Sequence, residues 1–451
     1  MTAQAATTGP GARGGDWRRW RVILLCSLAM AFAFMDRQIL PLFIEPVRAD
    51  LHITDVQFSL LTGLAFSIFY GLCGIPIGRL VDSRSRPVIL GLGLTVWSAA
   101  TVLTGFSRTF LQVFVARMAV GVGETAVSPA SQSMATDLFF GRGLARAIST
   151  VSLGVGIGSG AALLLGGALA KAIGPARVVH LPLAGDLHPW QVVFIVLGLP
   201  GLLLAPIMLF TVRDPTRVRL ATAGDGVAAR PSYLAMLRFI VTHRATIAFN
   251  TIGYAAFTLA TGATTQWAPA HFIRVFHAPI GTVGMTLGVC QMIGTTAGLL
   301  FAGWWIDRNL DAQRADGAMR FSMIMAALAF PAMVLFPFMP TLGLGIVMVV
   351  ASSSLCGAGY ATVAISAQQL LPNQMRAQFS ATYLVFSNLI GGMLGPFLVA
   401  SINTSLFHDP KRIGVSAAIV GGVGLAITIT LLGLGLSHFR KSMAEVDATT
   451  I

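Results

Sequence analysis

Charge is what this sequence is short of. Only 10% of its 451 residues are Asp, Glu, Lys or Arg, where a soluble globular domain carries about 25%. That shortage excludes a water-soluble fold of this length, because 55% of the residues are hydrophobic and so thin a polar shell cannot cover them. Cysteine is scarce as well. Cys26, Cys73, Cys290 and Cys356 each stand alone in an apolar run, so neither a disulfide framework nor a Cys-x-x-Cys metal site is expected. The eight histidines show no ligand spacing, and no metal or other cofactor is expected. There is no Gly-x-x-x-x-Gly-Lys-Ser/Thr loop and no nucleophile–base set, which argues against an ATP-driven pump and against an enzyme. The net charge of +13 does not signal nucleic acid, since the arginines are scattered between apolar runs without aromatic interleaving.

What is present is a series of long apolar runs, with a mean hydropathy of +0.77. They fall at about 20–43, 56–78, 87–106, 109–136, 144–171, 190–212, 243–268, 282–304, 320–339, 341–371, 376–402 and 413–437. Each is long enough to cross a bilayer as a helix, which needs roughly 20 residues. The first, "RRWRVILLCSLAMAFAF", has the basic start of a cleavable signal, but the apolar sequence continues past it and it reads as the first transmembrane helix. The expected fold is therefore all-α, with twelve spans. The longest polar break divides them into a tail (1–19), six helices (20–212), a loop (213–242), six more helices (243–437) and a tail (438–451). "GRLVD" (78–82) is echoed by "GWWID" (303–307), and "RAIST" (146–150) by "RAQFS" (376–380), at nearly one offset. Two such matches in equivalent spans argue for a duplicated six-helix unit, with the ligand site between the copies near the midplane. Lys and Arg crowd the loops on the side of the two termini, which places both termini in the cytoplasm. A multi-pass plasma (inner) membrane protein, surrounded by lipid and monomeric, is expected.

Charges that do fall inside apolar runs are the candidate machinery. Stopped at Met35, the first helix would hold about 14 apolar residues from Val22 and reach about 21 Å, short of the roughly 30 Å of hydrocarbon. Asp36 and Arg37 therefore lie inside the span, and Pro41 is expected to bend its far end. Arg117 and Glu124 lie inside the fourth span, about two turns apart on nearly one face. A charge at such depth costs about 2.5–3.5 kcal/mol or more and faces a cavity or a partner. Neutralised structural pairs are one reading. The sharper reading is a switch, because a carboxylate taken out of water gains proton affinity and a neighbouring arginine removes that gain. On that reading Asp36 and Glu124 carry the proton, and Arg37 and Arg117 are their partners or hold an anionic headgroup. Spans seven to twelve carry no such interior charge. Their polar residues Gln291, Tyr383 and Asn388 are candidates to line the cavity, and Phe32, Phe34, Phe66, Phe69 and Met285 to accommodate an acyl tail.

Over residues 20 to 440 the sequence resembles the major facilitator superfamily. "GRLVDSRSRPVIL" (78–90) is similar to that family's signature between helices two and three, with Gly78, Asp82, Arg84 and Arg86 in place, Ser85 where glycine is usual and Pro87 in place of a basic residue. "ARMAVGVGE" (116–124) is similar to its helix-four motif, whereas "GVGIGSG" (154–160) lacks the proline of the antiporter signature. Within the superfamily, "MDRQIL", "GVGETAVSPA" and "HPWQVVFIVLGLPG" resemble the spinster-like branch. The resemblance implies two pseudo-symmetric six-helix bundles and a conformational latch at Asp82 against the start of helix eleven, joined by Gly78, Arg84, Arg86 and Arg146. It also implies transport of a small amphipathic or anionic, lysolipid-like substrate by alternating access, coupled to protons. The alternatives are an uncoupled facilitator of a polar metabolite and a receptor built on a transporter scaffold.

Overall fold

The computed structural model describes residues 12–140, 142–174, 178–181, 185–217, 239–309, 316–361 and 386–450. Span one is the helix Ala12–Leu42, and the chain turns at Phe43, two residues past Pro41, before a short helix Ile44–Leu51. Proline removes a main-chain donor and crowds the preceding turn, yet the helix runs through Pro41 and ends one residue beyond it, at Leu42. Span two runs Asp55–Ser83 and contains a π-helical turn, Leu60–Leu64. Span three is Arg86–Gly105, and span four is Phe110–Leu138, interrupted between Glu124 and Val127. Span five is Arg142–Ile173; a small antiparallel hairpin pairs Val179 with Leu187, and span six is Pro189–Thr211.

The second half repeats this plan. Spans seven to ten are Arg244–Phe276, Ile280–Asn309, Gly317–Leu335 and Leu342–Ala361. Span eleven is described from Asn388, as a π-helical stretch to Leu394 that continues through Gly395–Ile402 to Phe407, and span twelve is Ile413–Thr450. Among the described residues, 11 helices are long and apolar enough to cross a membrane, and the 33-residue helix Arg244–Phe276 supplies the twelfth. The duplication is exact in register at one corner. His52 and His277 are both left-handed cap residues, at φ 51° and 50°. Asp55 and Ile280, which open spans two and eight, stand the same number of residues apart as those histidines and as Asp82 and Asp307.

Glycine sets how the halves meet. Spans five and eight pack along each other, and a Cβ on Gly284 would come within 2.7 Å of the Leu163 carbonyl oxygen, one on Gly167 within 2.8 Å of the Met285 nitrogen. Such contact needs bare backbone on both faces. The π-turns of spans two and eleven also touch, with Gly63 against the carbonyl of Gly392. All these contacts lie toward the end opposite the termini. Toward the terminal end, the same spans expose Ile75, Leu80, Ile148, Leu300 and Trp304, and a Cβ on Gly78 or Gly303 would meet nothing within 4 Å among the described residues. Among the described residues, the halves are joined at one end and show no such contact at the other.

Candidate functional site

The charges of spans one and four come together in the core of the N-terminal half. Arg37 Nε donates to Glu124 Oε2 at 2.6 Å. Glu124 is fully buried, while the Arg37 side chain keeps 23% of its surface exposed, so the arginine is the member of the pair that a ligand can reach. Its guanidinium lies among three rings, with its carbon 4.5 Å from the centroid of Phe66, 4.8 Å from Tyr70 and 4.9 Å from Phe34. Two of the aromatics considered for an acyl tail, Phe34 and Phe66, thus face the cation. The Asp36 carboxylate accepts from Thr101 Oγ1 at 2.6 Å. Arg117 reaches the same residue by another route, donating to the Asp36 carbonyl oxygen at 3.3 Å.

Two polar atoms of the cluster, Glu124 Oε1 and Arg117 Nε, are buried with no hydrogen-bond partner among the described residues. A buried polar atom left unpaired is costly. The break in span four explains how Glu124 is presented. Pro129 cannot donate to the carbonyl four residues back, and its ring crowds that turn, so the helix ends at Glu124 and restarts at Val127. "GVGETAVSPA" carries both the acid and the proline that frees it.

The remaining sequence candidates are dispersed. Gln291 faces the seam, in a narrow cleft with Gln38, Leu163, Thr265 and Leu287, and donates to Thr295 Oγ1 at 3.0 Å. Asn388 is half-buried at the start of the π-turn of span eleven. Tyr383 lies outside the described residues, as does the start of helix eleven against which Asp82 was expected to rest. Asp82 and Arg146 are exposed on the terminal face. Arg84 is exposed too and offers its carbonyl oxygen to Arg217 Nη2 at 2.6 Å. Arg86 is buried and turned inward. Its guanidinium pairs with Asp137 at the end of span four and, at 2.8 Å, with Asp214 after span six. In this conformation it ties the N-terminal half to itself.

Sequence reading passed over a second site, at the end opposite the termini. Arg274, near the end of span seven, donates to Asp55 at 2.9 and 2.7 Å and to Glu45 at 2.7 Å. Its own half holds it through the Pro410 carbonyl at 3.2 Å. Arg48 pairs with Asp55 from the other side at 3.0 Å. The Arg274 pairs cross between the halves and are almost fully buried at Arg274 and Asp55. All four residues stand at the ends of spans, where charges ordinarily mark the water boundary, so nothing in the sequence set them apart. The "HPW" segment serves the same end of the molecule, where His188 Nε2 lies 2.9 Å from Asp50 and Trp190 Nε1 donates to it at 3.0 Å.

Twelve spans in two repeated halves, closed at one end and carrying an ion cluster in the core of the first half, define a polytopic membrane transporter. The chain belongs to the major facilitator superfamily, whose family model matches residues 26–396. Within it the chain is spinster-like. It is similar to an MFS-type efflux pump of Mycolicibacterium smegmatis, at 26% identity over 98% of both chains. It is also similar to the sphingosine-1-phosphate transporter of Danio rerio, at 26% identity over 55% of this chain and 47% of that one. A bacterial homolog of the human lysosomal transporter spinster, solved inward-facing and unoccupied, shares the fold with a TM-score of 0.75 at 22% identity, covering 96% of this chain and 98% of that one.

Proposed function

We propose that this protein is a proton-coupled secondary transporter of the plasma membrane. It moves a small amphipathic or anionic, lysolipid-like molecule by alternating access. One observation carries the reading: the reachable Arg37 is bound to a fully buried Glu124 whose second oxygen has no partner among the described residues. An anionic headgroup that draws Arg37 toward itself takes from Glu124 the guanidinium that hydrogen-bonds it, and the buried carboxylate then takes up a proton. Loss of the headgroup returns Arg37 and expels the proton. The aromatic rings around Arg37 favour a cargo with apolar surface next to its charge. Similarity to a transporter named for sphingosine-1-phosphate supports the cargo class, and similarity along the whole chain to an efflux pump favours export.

The Lys and Arg bias puts both termini in the cytoplasm, so the joined end is external and the parted end opens inward. Arg274 with Asp55 and Glu45 then acts as the external closure. Asp82 acts in the opposite state, when the cytoplasmic ends meet, with Gly78 leaving room for the approach. The test is uptake into proteoliposomes under an imposed pH gradient, with lysolipids, organic anions and sugars as cargo. Accumulation should follow the gradient for the native chain and be lost in Glu124→Gln, with exchange down a gradient retained. Gradient-driven accumulation by Glu124→Gln would remove Glu124 as the carrier, and a native chain indifferent to pH would be an uncoupled facilitator.

A further inference from the structure

Four arginines converge at the terminal end of the N-terminal half, away from the seam. Arg18, Arg19 and Arg21 lie on the first turns of span one and Arg213 follows span six, and together they line a cavity of about 520 Å³. Asp214 also borders it, but Arg86 already holds that carboxylate at 2.8 Å. The cavity is therefore strongly basic.

The surface below the cavity is apolar. On the face of span one that carries Arg21, Leu24 and Leu28 follow below it, exposed by 47% and 43%, and Trp17 stands one turn above it, exposed by 65%. On span six, Leu203, Ile207 and Phe210 are exposed by 69%, 45% and 85%. Arg21 Nη2 donates to the Thr211 carbonyl oxygen at 2.9 Å, which joins spans one and six at the basic mouth from which both stripes run. A charged mouth over an apolar furrow matches one kind of molecule, a membrane lipid with a negative head.

We propose that this cavity binds the phosphodiester headgroup of an anionic phospholipid, whose acyl chains lie in the furrow between spans one and six. Guanidinium groups grip phosphate oxygens in pairs, basic pockets at helix ends recognise anionic headgroups, and Trp17 stands at the level where indole rings anchor to the interface. A zwitterionic lipid would bring its ammonium group against four like charges. The site lies apart from the Arg37–Glu124 pair, so the inference is independent of the cargo.

Native mass spectrometry and thermal unfolding of the purified full chain in mild detergent test it, with phosphatidylglycerol, phosphatidylcholine, glycerol 3-phosphate or inorganic phosphate added. Phosphatidylglycerol should be retained and should raise the unfolding temperature, while the other three do neither. Substituting R18Q, R19Q and R213Q together, with Arg21 kept because it joins the spans, should weaken phosphatidylglycerol binding about a hundredfold. The corresponding R18K, R19K and R213K set should keep most of it. On the unaltered chain, added salt should release the lipid, a reading that does not depend on any variant folding. Equal retention of the two lipids, binding insensitive to salt, or undiminished affinity in the glutamine set would each overturn the proposal. Protection by inorganic phosphate equal to that by phosphatidylglycerol would overturn the lipid assignment.

Discussion

Removing Arg274 should open the end of the molecule that this structure shows closed. The residue makes three short charge-assisted hydrogen bonds to Asp55 and Glu45 across the halves, with only 6% of its side chain and 6% of Asp55 exposed. Breaking a buried pair by removing one partner costs about 3–5 kcal/mol, because the other charge is left unpaired out of water. Arg48 remains 3.0 Å from Asp55 and keeps part of its neutralisation, so Arg274→Ala should fall at the low end, about 3 kcal/mol. Once the halves part at this end both acids are hydrated and the penalty disappears. The substitution therefore acts on the conformational equilibrium, shifting it about 150-fold toward the open end at 1.4 kcal/mol per tenfold. Spin labels on Arg108 and Lys411, exposed positions at this end of the two halves, would report it. The native chain should give one short separation and Arg274→Ala a dominant longer one, with the exchanged pair R274D/D55R recovering part of the short population. An inter-label distance unchanged by Arg274→Ala would refute the reasoning, since the closed end would then be held by packing alone.

Two further outcomes follow from single contacts. Thr101→Val removes the donor to Asp36 Oδ2 and should lower stability by about 1–3 kcal/mol, read as a fall in unfolding temperature that Thr101→Ser does not show. Arg86→Ala takes away a buried guanidinium that pairs with both Asp137 and Asp214 and should cost about 3 kcal/mol; Arg84→Ala, which removes no side-chain ion pair among the described residues, should unfold at the native temperature.

The charges of spans one and four were legible because an ionised group inside an apolar run stands out against its neighbours, and helix length alone fixed Asp36 and Arg37 within the span. Their pairing was not legible. Whether Arg117 meets the carboxylate of Asp36 or its main chain depends on helix rotation, and a single sequence does not encode that at the scale of one hydrogen bond. Thr101 was missed because a threonine in a membrane helix usually bonds its own backbone, which it also does here through the Trp97 carbonyl. The break after Glu124 did have a signal in Pro129. Arg274, Glu45 and Asp55 had none, because a charge that closes a gate and a charge that meets water occupy the same place in a hydropathy pattern. The twelve spans, by contrast, were carried by composition over hundreds of residues, and their number did not hang on any one position.

The faces that spans five and eight turn to each other are nearly bare backbone, at Gly167 and Gly284 above all. A joint of that kind holds by shape. Its attraction is dispersion between atoms in contact, which fades within an ångström or so of separation, and it has no preferred direction and little response to ionic strength. Such a surface can slide or tilt through a series of nearly equivalent poses, so the resting pose must be chosen elsewhere. A bulky side chain at either glycine would act as a wedge, fixing how far the two bodies can close while leaving every charge in place.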